Sequence, residues 1–112
     1  ELIQQAKARG VNVSASVAFY HLALTDSDMR AFDQNLLVNP PLRSEADRLA
    51  LLRGLRDRTI DAVVSDHTPV AIHEKQLELR YAVSGMVGLE FVFPVLMDLV
   101  ARGELRLEDV LH

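Results

Sequence analysis

The sequence predicts an α/β fold built on a parallel sheet, and three observations carry that expectation. Segments with helical spacing of apolar residues alternate with short β-branched runs, in the order helix, strand, helix, strand, helix. That order is the βαβ pattern, in which strands run parallel and crossovers are right-handed. The run "TIDAVVS" is short, apolar and β-branched, as in a strand of a parallel sheet. Finally, only two strong strands are present, too few to close a barrel or to cover both faces of a sheet. The chain is expected to be a piece of a larger α/β domain, or to borrow strands from a partner.

Each element has a local reason. "ELIQQAKARG" places Leu2, Ile3 and Ala6 on one helical face and stops at Gly10, a natural residue for a helix C-terminus. It begins like the middle of an element, as in a fragment of a longer chain. In "VNVSASVAF", Val11, Val13, Ala15 and Val17 alternate with polar residues, the period of a strand. "LTDSDMRAFD" offers Thr25 or Asp26 as the cap of a short helix. Pro40 and Pro41 exclude a continuous helix through "NLLVNPPLR" and bias Asn39 toward extended geometry. Ser44 caps "EADRLALLRGLRD", with Asp47 as the carboxylate three residues on and Leu49, Leu52 and Leu55 as an apolar stripe. The stretch from Asp66 to about Ser84 is long, charged and irregular. "GMVGLEFVFPVLMDLVARG" returns to a mostly apolar helix packed on a sheet, with a kink expected at Pro94. "LRLEDVLH" starts a last helical segment, with Glu108 and Asp109 near its beginning.

Composition narrows the function classes. The 112 residues are enough for one small domain, and 49% apolar with 25% charged residues is a globular balance. The net charge of -4 and the lack of clustered Lys and Arg argue against nucleic acid or an anionic membrane as partner. No apolar run approaches the roughly 20 residues needed to span a bilayer. The absence of cysteine removes disulfide and thiolate chemistry and fits a cytoplasmic setting.

In α/β folds ligands bind at the carboxyl ends of strands, and Asp66 sits at such an end. A carboxylate there is either a metal ligand and proton shuttle or a cap for the following loop. Ser65, Asp66 and His67 are not a nucleophile triad, because neighbours in an extended segment point in opposite directions. The four histidines, His21, His67, His73 and His112, form no H-x-H or H-x-x-x-H pair, so no complete metal site is legible. His67 is expected to be packed and hydrogen-bonded. His21 is expected to fix the turn after the first strand, and His73 to be solvated. Asn39 precedes two prolines that hold its amide with little freedom, suited to a carboxylate or imide edge or simply to a rigid turn. Gly85 and Gly88 are read as flanking a helix start, either to let N–H groups approach an anion or to permit close packing.

Together, "VNPPLRSEADRLALLRGLRDRTIDAVVSDHTP" and "GMVGLE" resemble the C-terminal part of a dihydroorotase, an enzyme of the amidohydrolase superfamily. The most specific piece is N-P-P-L-R, an amphipathic helix, then T-I-D-A-V-x-S-D-H. Allantoinases share the P-P-R and S-D-H elements but usually lack the Asn. The resemblance implies a fragment of a (β/α)8 TIM-type barrel, about strands 7 and 8 with flanking helices, over residues 1–112. It implies interconversion of N-carbamoyl-aspartate and dihydroorotate in cytoplasmic pyrimidine biosynthesis, with a zinc-activated water. The residue matching Asp66 binds zinc in that family and acts as base and acid. The residue matching Asn39 contacts dihydroorotate, and those matching Ser84 and Gly85 approach the pyrimidine ring through main chain. The remaining zinc ligands come from earlier strands, outside this chain.

Two departures stand out. Active members commonly read D-H-x-P-H, where the last His contacts the substrate carboxylate; here that position is Val70. "VAFYHL" stands where many members have T-P-H-H-L. "SDHTPV" followed by "EKQLEL" resembles a dihydroorotase-like branch found beside aspartate carbamoyltransferase, some of whose members are inactive scaffolds. Val70 therefore raises a scaffold as the alternative to an enzyme. These 112 residues alone are expected to be inactive, and to self-associate through open strand edges and apolar helix surface.

Overall fold

A computed structural model describes residues 1–111; His112 lies outside the described residues. The chain runs through α1 (Leu2–Ala8), β1 (Ser16–Ala18), α2 (Tyr20–Ala23) and two 3-10 turns, Asp26–Ala31 and Gln34–Leu36. It continues through α3 (Glu45–Arg56), β2 (Ala62–Val64), α4 (Ile72–Lys75), α5 (Val92–Ala101) and α6 (Leu107–Val110). The two strands pair in parallel, with Ser16 opposite Ala62, Val17 opposite Val63 and Ala18 opposite Val64. The α/β expectation holds in this form: two parallel strands joined by a crossover containing α3.

The helix ends follow local chemistry. α1 closes with Gly10 in the left-handed region (φ 76°), where the Gly10 and Val11 N–H groups bond to the carbonyls of Lys7 and Ala6. Thr25 caps the first 3-10 turn, its N–H bonded to Asp28 Oδ2 at 2.7 Å. Ser44 caps α3: its Oγ donates to Asp47 Oδ2 at 2.7 Å and accepts from the Asp47 N–H at 3.3 Å.

Several expectations are corrected. The alternating run from Val11 to Phe19 forms a strand only over Ser16–Ala18. Alternation alone does not make a strand; a ladder partner does, and β2 supplies three residues. Just before the ladder, Asp61 takes over: its Oδ2 accepts the Ala15 N–H at 2.8 Å, and its own N–H donates to the Ala15 carbonyl at 2.8 Å. In the α3 stripe, Leu52 and Leu55 are buried, but Leu49 is 42% exposed. α1 buries none of its residues fully. α5 begins at Val92, later than its apolar pattern suggests, which puts Pro94 in the first turn. The N–H groups there have no helical partner, so Pro94 removes no helical bond and its expected kink is unnecessary. The same late start leaves Gly85 and Gly88 in the loop before the helix rather than at its first residue.

The core has two parts that meet at β1. Val17 and Leu22 pack with Leu52 and Leu55 of α3 and Leu96 and Leu99 of α5. Ala18, Phe19 and Tyr20 pack with Val38 and Leu42 from the segment around the prolines. Burying one such side chain stabilises by about 1.5–3 kcal/mol. Arg48 binds the assembly laterally, donating to the Leu22 carbonyl at 3.0 Å and to Glu104 at 2.6 Å. Large apolar side chains remain exposed, among them Leu89, Phe91 and Phe93 at 50% or more. The radius of gyration is 15.1 Å, above the roughly 13 Å of an independent domain this long.

Candidate active site

Because β1 and β2 are parallel, their carboxyl ends emerge on the same side. β1 delivers Phe19, Tyr20 and His21; β2 delivers Ser65, Asp66 and His67. Asp66 adopts φ 43°, a left-handed conformation that Asp tolerates better than most residues. Tyr20 is 1% exposed, yet its phenol has a partner: the hydroxyl donates to Asp66 Oδ2. Burial raises the Tyr20 pKa well above its ordinary value, and the bond to Asp66 and its charge push the same way. Among the described residues no hydrogen bond reaches Asp66 Oδ1.

His67 is hydrogen-bonded, as expected, but exposed rather than packed, and its partners are informative. Its Nδ1 accepts from the N–H groups of Gly88 at 3.1 Å and Leu89 at 3.3 Å. A nitrogen accepting two N–H groups carries no proton, so the neutral ring holds its proton on Nε2. The backbone follows suit: His67 forms a parallel bridge with Met86, and the Thr68 N–H donates to the Met86 carbonyl at 2.9 Å. The end of β2 is thereby clipped to the loop before α5.

That clip explains both glycines. A Cβ on Gly88 would stand 2.1 Å from the Ser65 carbonyl oxygen, and one on Gly85 2.5 Å from that of Thr68. Their N–H groups are also occupied, Gly88 by His67 and Gly85 by the Leu37 carbonyl at 2.9 Å. Close packing accounts for the pair, and the anion-binding alternative loses its free donors.

Two cavities flank this end of the sheet. One, of about 420 Å³, is lined by Asp66, Asn39, His21 and Arg43, among others. Asn39 and Asp66, 27 positions apart in sequence, thus face the same space. His21 lines it too, and its Nε2 lies 3.0 Å from the Pro40 carbonyl, fixing the turn that carries Asn39. The other cavity, of about 520 Å³, is mainly apolar and is lined by Gly85, Val70, Phe19, Met86 and Lys75. Lys75 donates to the carbonyls of Gln34 at 2.9 Å and Leu37 at 3.2 Å, and burial lowers its pKa. Ser84 is half-buried and lines neither cavity; His73 is exposed. Sequence reasoning missed Tyr20. The only available signal was a phenol in an apolar run directly before the candidate end of the sheet.

Among the described residues no group of three or more His, Cys, Asp or Glu side chains could hold a metal ion. Asp66 offers one carboxylate, half of it already bonded to Tyr20. The described residues do not fit a complete metal centre; they fit at most a one-ligand share of it.

Comparison with known proteins agrees with the motifs. No protein-family model matches the chain. A dihydroorotase of Elusimicrobium minutum is 46% identical over 105 residues, covering 94% of this chain and 24% of that protein. One from Bacillus licheniformis is 50% identical over 95 residues, covering 85% of this chain and 22% of that protein. The solved structure of an L-hydantoinase (dihydropyrimidinase) from Arthrobacter aurescens superposes with a TM-score of 0.90 at 29% identity. It covers 97% of this chain and 25% of that one. The chain spans about a quarter of the length of the curated relatives it matches. It is thus a segment similar to the C-terminal part of dihydroorotases, folded like a quarter of an amidohydrolase barrel.

Proposed function

We propose that the protein carrying this segment is a dihydroorotase. It would hydrolyse a cyclic amide, interconverting dihydroorotate and N-carbamoyl-aspartate, with Asp66 as its catalytic carboxylate and one ligand of a zinc ion. The observation that carries the proposal is the convergence of Asp66 and Asn39 on one cavity at the carboxyl end of a parallel pair. Oδ2 of Asp66 accepts the Tyr20 hydroxyl, and the lone pairs that remain on the carboxylate would hold the zinc ion, accept a proton from the attacking water and return it to the leaving nitrogen. Asn39 has both a donor and an acceptor to offer an amide or imide edge. Ser84 and Gly85 would meet the ring from the loop clipped to β2; with the Gly85 N–H occupied, that contact would fall to carbonyls or to Ser84. The segment corresponds to strands 7 and 8 of the barrel, and the missing metal ligands come from earlier strands. The test is dihydroorotate hydrolysis and zinc content in the full-length protein. Absence of both would overturn the proposal.

A second reading rests on Val70. This side chain is half-buried, and its Cγ2 would lie 2.8 Å from a Cβ on Gly85, so it lines the second cavity with methyl groups where a hydrogen-bond donor would serve an anionic substrate. The loss of a charge-assisted bond costs about 1.5–3 kcal/mol. Such a protein would serve as a non-catalytic partner of aspartate carbamoyltransferase. Co-purification of an inactive full-length protein with the transferase supports this reading; a fully active protein independent of the transferase rules it out.

A further inference from the structure

We propose that Tyr20 is a positioning residue for Asp66. Its buried hydroxyl holds one oxygen of the carboxylate and, with His21 on the Pro40 carbonyl, sets where Asp66 stands relative to Asn39. The inference rests on the reading of Asp66 as the working carboxylate, but its structural basis is separate.

Asp66 itself is exposed and follows a strand of only three residues; the backbone after it is clipped to the loop before α5, but the side-chain hydrogen bond of its carboxylate is the one from Tyr20. Tyr20 is the reverse. Its ring is 1% exposed, stands edge-on to Phe19 with centroids 5.4 Å apart, and lies 4.6 Å from the His21 ring. Phe19 and Tyr20 both belong to the core. A rigid, buried ring with a hydroxyl at its tip is a fixed post, and a buried phenol needs a partner. The left-handed turn at Asp66 accompanies a carboxylate that reaches the partner strand's corner, where the phenol meets it.

The adjacent residue completes the arrangement. His21 leans on Tyr20 and reaches the Pro40 carbonyl, one residue beyond Asn39. Two neighbouring side chains on one helical turn, α2, therefore contact both arms of the cavity. Tyr20 touches the β2 end and His21 the proline turn. The separation of Asp66 and Asn39 is set through α2 rather than by any direct contact between them. Tyr20 acts through Asp66 and is given no contact with substrate.

The test uses the full-length protein with Tyr20→Phe, which removes the hydroxyl and keeps the ring, and with Asp66→Asn as the second variant. Melting temperature and circular dichroism establish that each variant is folded. For dihydroorotate hydrolysis, Tyr20→Phe is expected to lower kcat about tenfold or more and to leave KM within about twofold, because an oriented carboxylate matters to the reacting geometry rather than to substrate capture. A purely structural tyrosine would leave kcat unchanged or move it in step with stability. The readout independent of turnover is the rate at which a water-soluble carbodiimide modifies Asp66, followed by peptide mass spectrometry. Freed from Tyr20, the carboxylate is expected to react several-fold faster in Tyr20→Phe; Asp66→Asn fixes the background. If the wild type does not turn over dihydroorotate, the functional reading fails and the labelling rates alone decide the positioning role. Equal labelling in wild type and Tyr20→Phe overturns the proposal, as does a kcat unaffected by the substitution in an active enzyme.

Discussion

Gly88→Ala is the substitution that most directly probes how the end of β2 is held. The added methyl would stand 2.1 Å from the Ser65 carbonyl oxygen, 3.0 Å from its carbon and 3.1 Å from Phe19 Cε1. A carbon and a carbonyl oxygen ordinarily approach to about 3.3 Å, so something must move by about 1 Å. The obstructing oxygen is backbone, at the residue between β2 and Asp66, and cannot rotate aside. Overpacking costs about 1–3 kcal/mol, and a backbone clash belongs at the upper end. At about 3 kcal/mol the folding equilibrium falls roughly 150-fold. The shift also lengthens the Gly88–His67 bond, so Asp66 and the loop before α5 separate together. Gly10→Ala is the control: nothing lies within 4 Å of its Cβ, and only its φ of 76° opposes a side chain, at about 1–2 kcal/mol. Urea unfolding of the full-length variants is the assay, with dihydroorotate turnover alongside. Gly88→Ala is expected to lose more stability than Gly10→Ala and to lose activity beyond its stability loss. A Gly88→Ala protein as stable and active as Gly10→Ala would refute the close-approach argument.

Other perturbations follow from single contacts. Ser44→Ala removes the cap of α3 and is expected to cost about 1 kcal/mol, read as a lower urea midpoint; an unchanged midpoint would count against the cap. Lys7, and after it the Ala15 N–H, hold the Asp61 carboxyl below its ordinary range. Folding favours its charged form, so that contribution is complete above about pH 4 and disappears as pH falls through the depressed value. Lys7→Met should flatten the acid-side fall of melting temperature, and an unaltered pH slope would contradict the pairing. If the protein is an active dihydroorotase, Val70→His should restore a donor and lower KM for dihydroorotate about tenfold or more; no change in KM would mean that the Val70 position does not meet the substrate anion. The segment expressed alone is expected to sediment as more than a monomer at micromolar concentration, given exposed Leu89, Phe91 and Phe93; a cooperatively folding monomer would overturn that.

What was legible in the sequence was mostly local. Ser44 and Asp47 are three residues apart, and the cap they form needs nothing distant. The apolar run ending at Asp66 needed only its own residues to be read as a strand. The β1 run misled because its alternation is local, whereas its pairing depends on β2 and on Asp61, more than 40 positions on. The late start of α5 has the same cause. The preceding loop is held by His67, 21 positions earlier, and no spacing pattern within the loop records it. Tyr20 and Asp66 lie 46 positions apart, so a buried phenol meeting an exposed carboxylate could emerge only from the fold.

The central claim is that Asp66 is the working carboxylate of a cyclic-amide hydrolase. It is tested most directly by comparing dihydroorotate hydrolysis in the full-length wild type and in Asp66→Asn at equal, verified folding. The expected result is clear turnover in the wild type and a loss of about 10²–10⁴-fold in kcat for Asp66→Asn, the range removed with a general acid–base group. A wild type with no turnover above background, or an Asp66→Asn variant as active as the wild type, would contradict it.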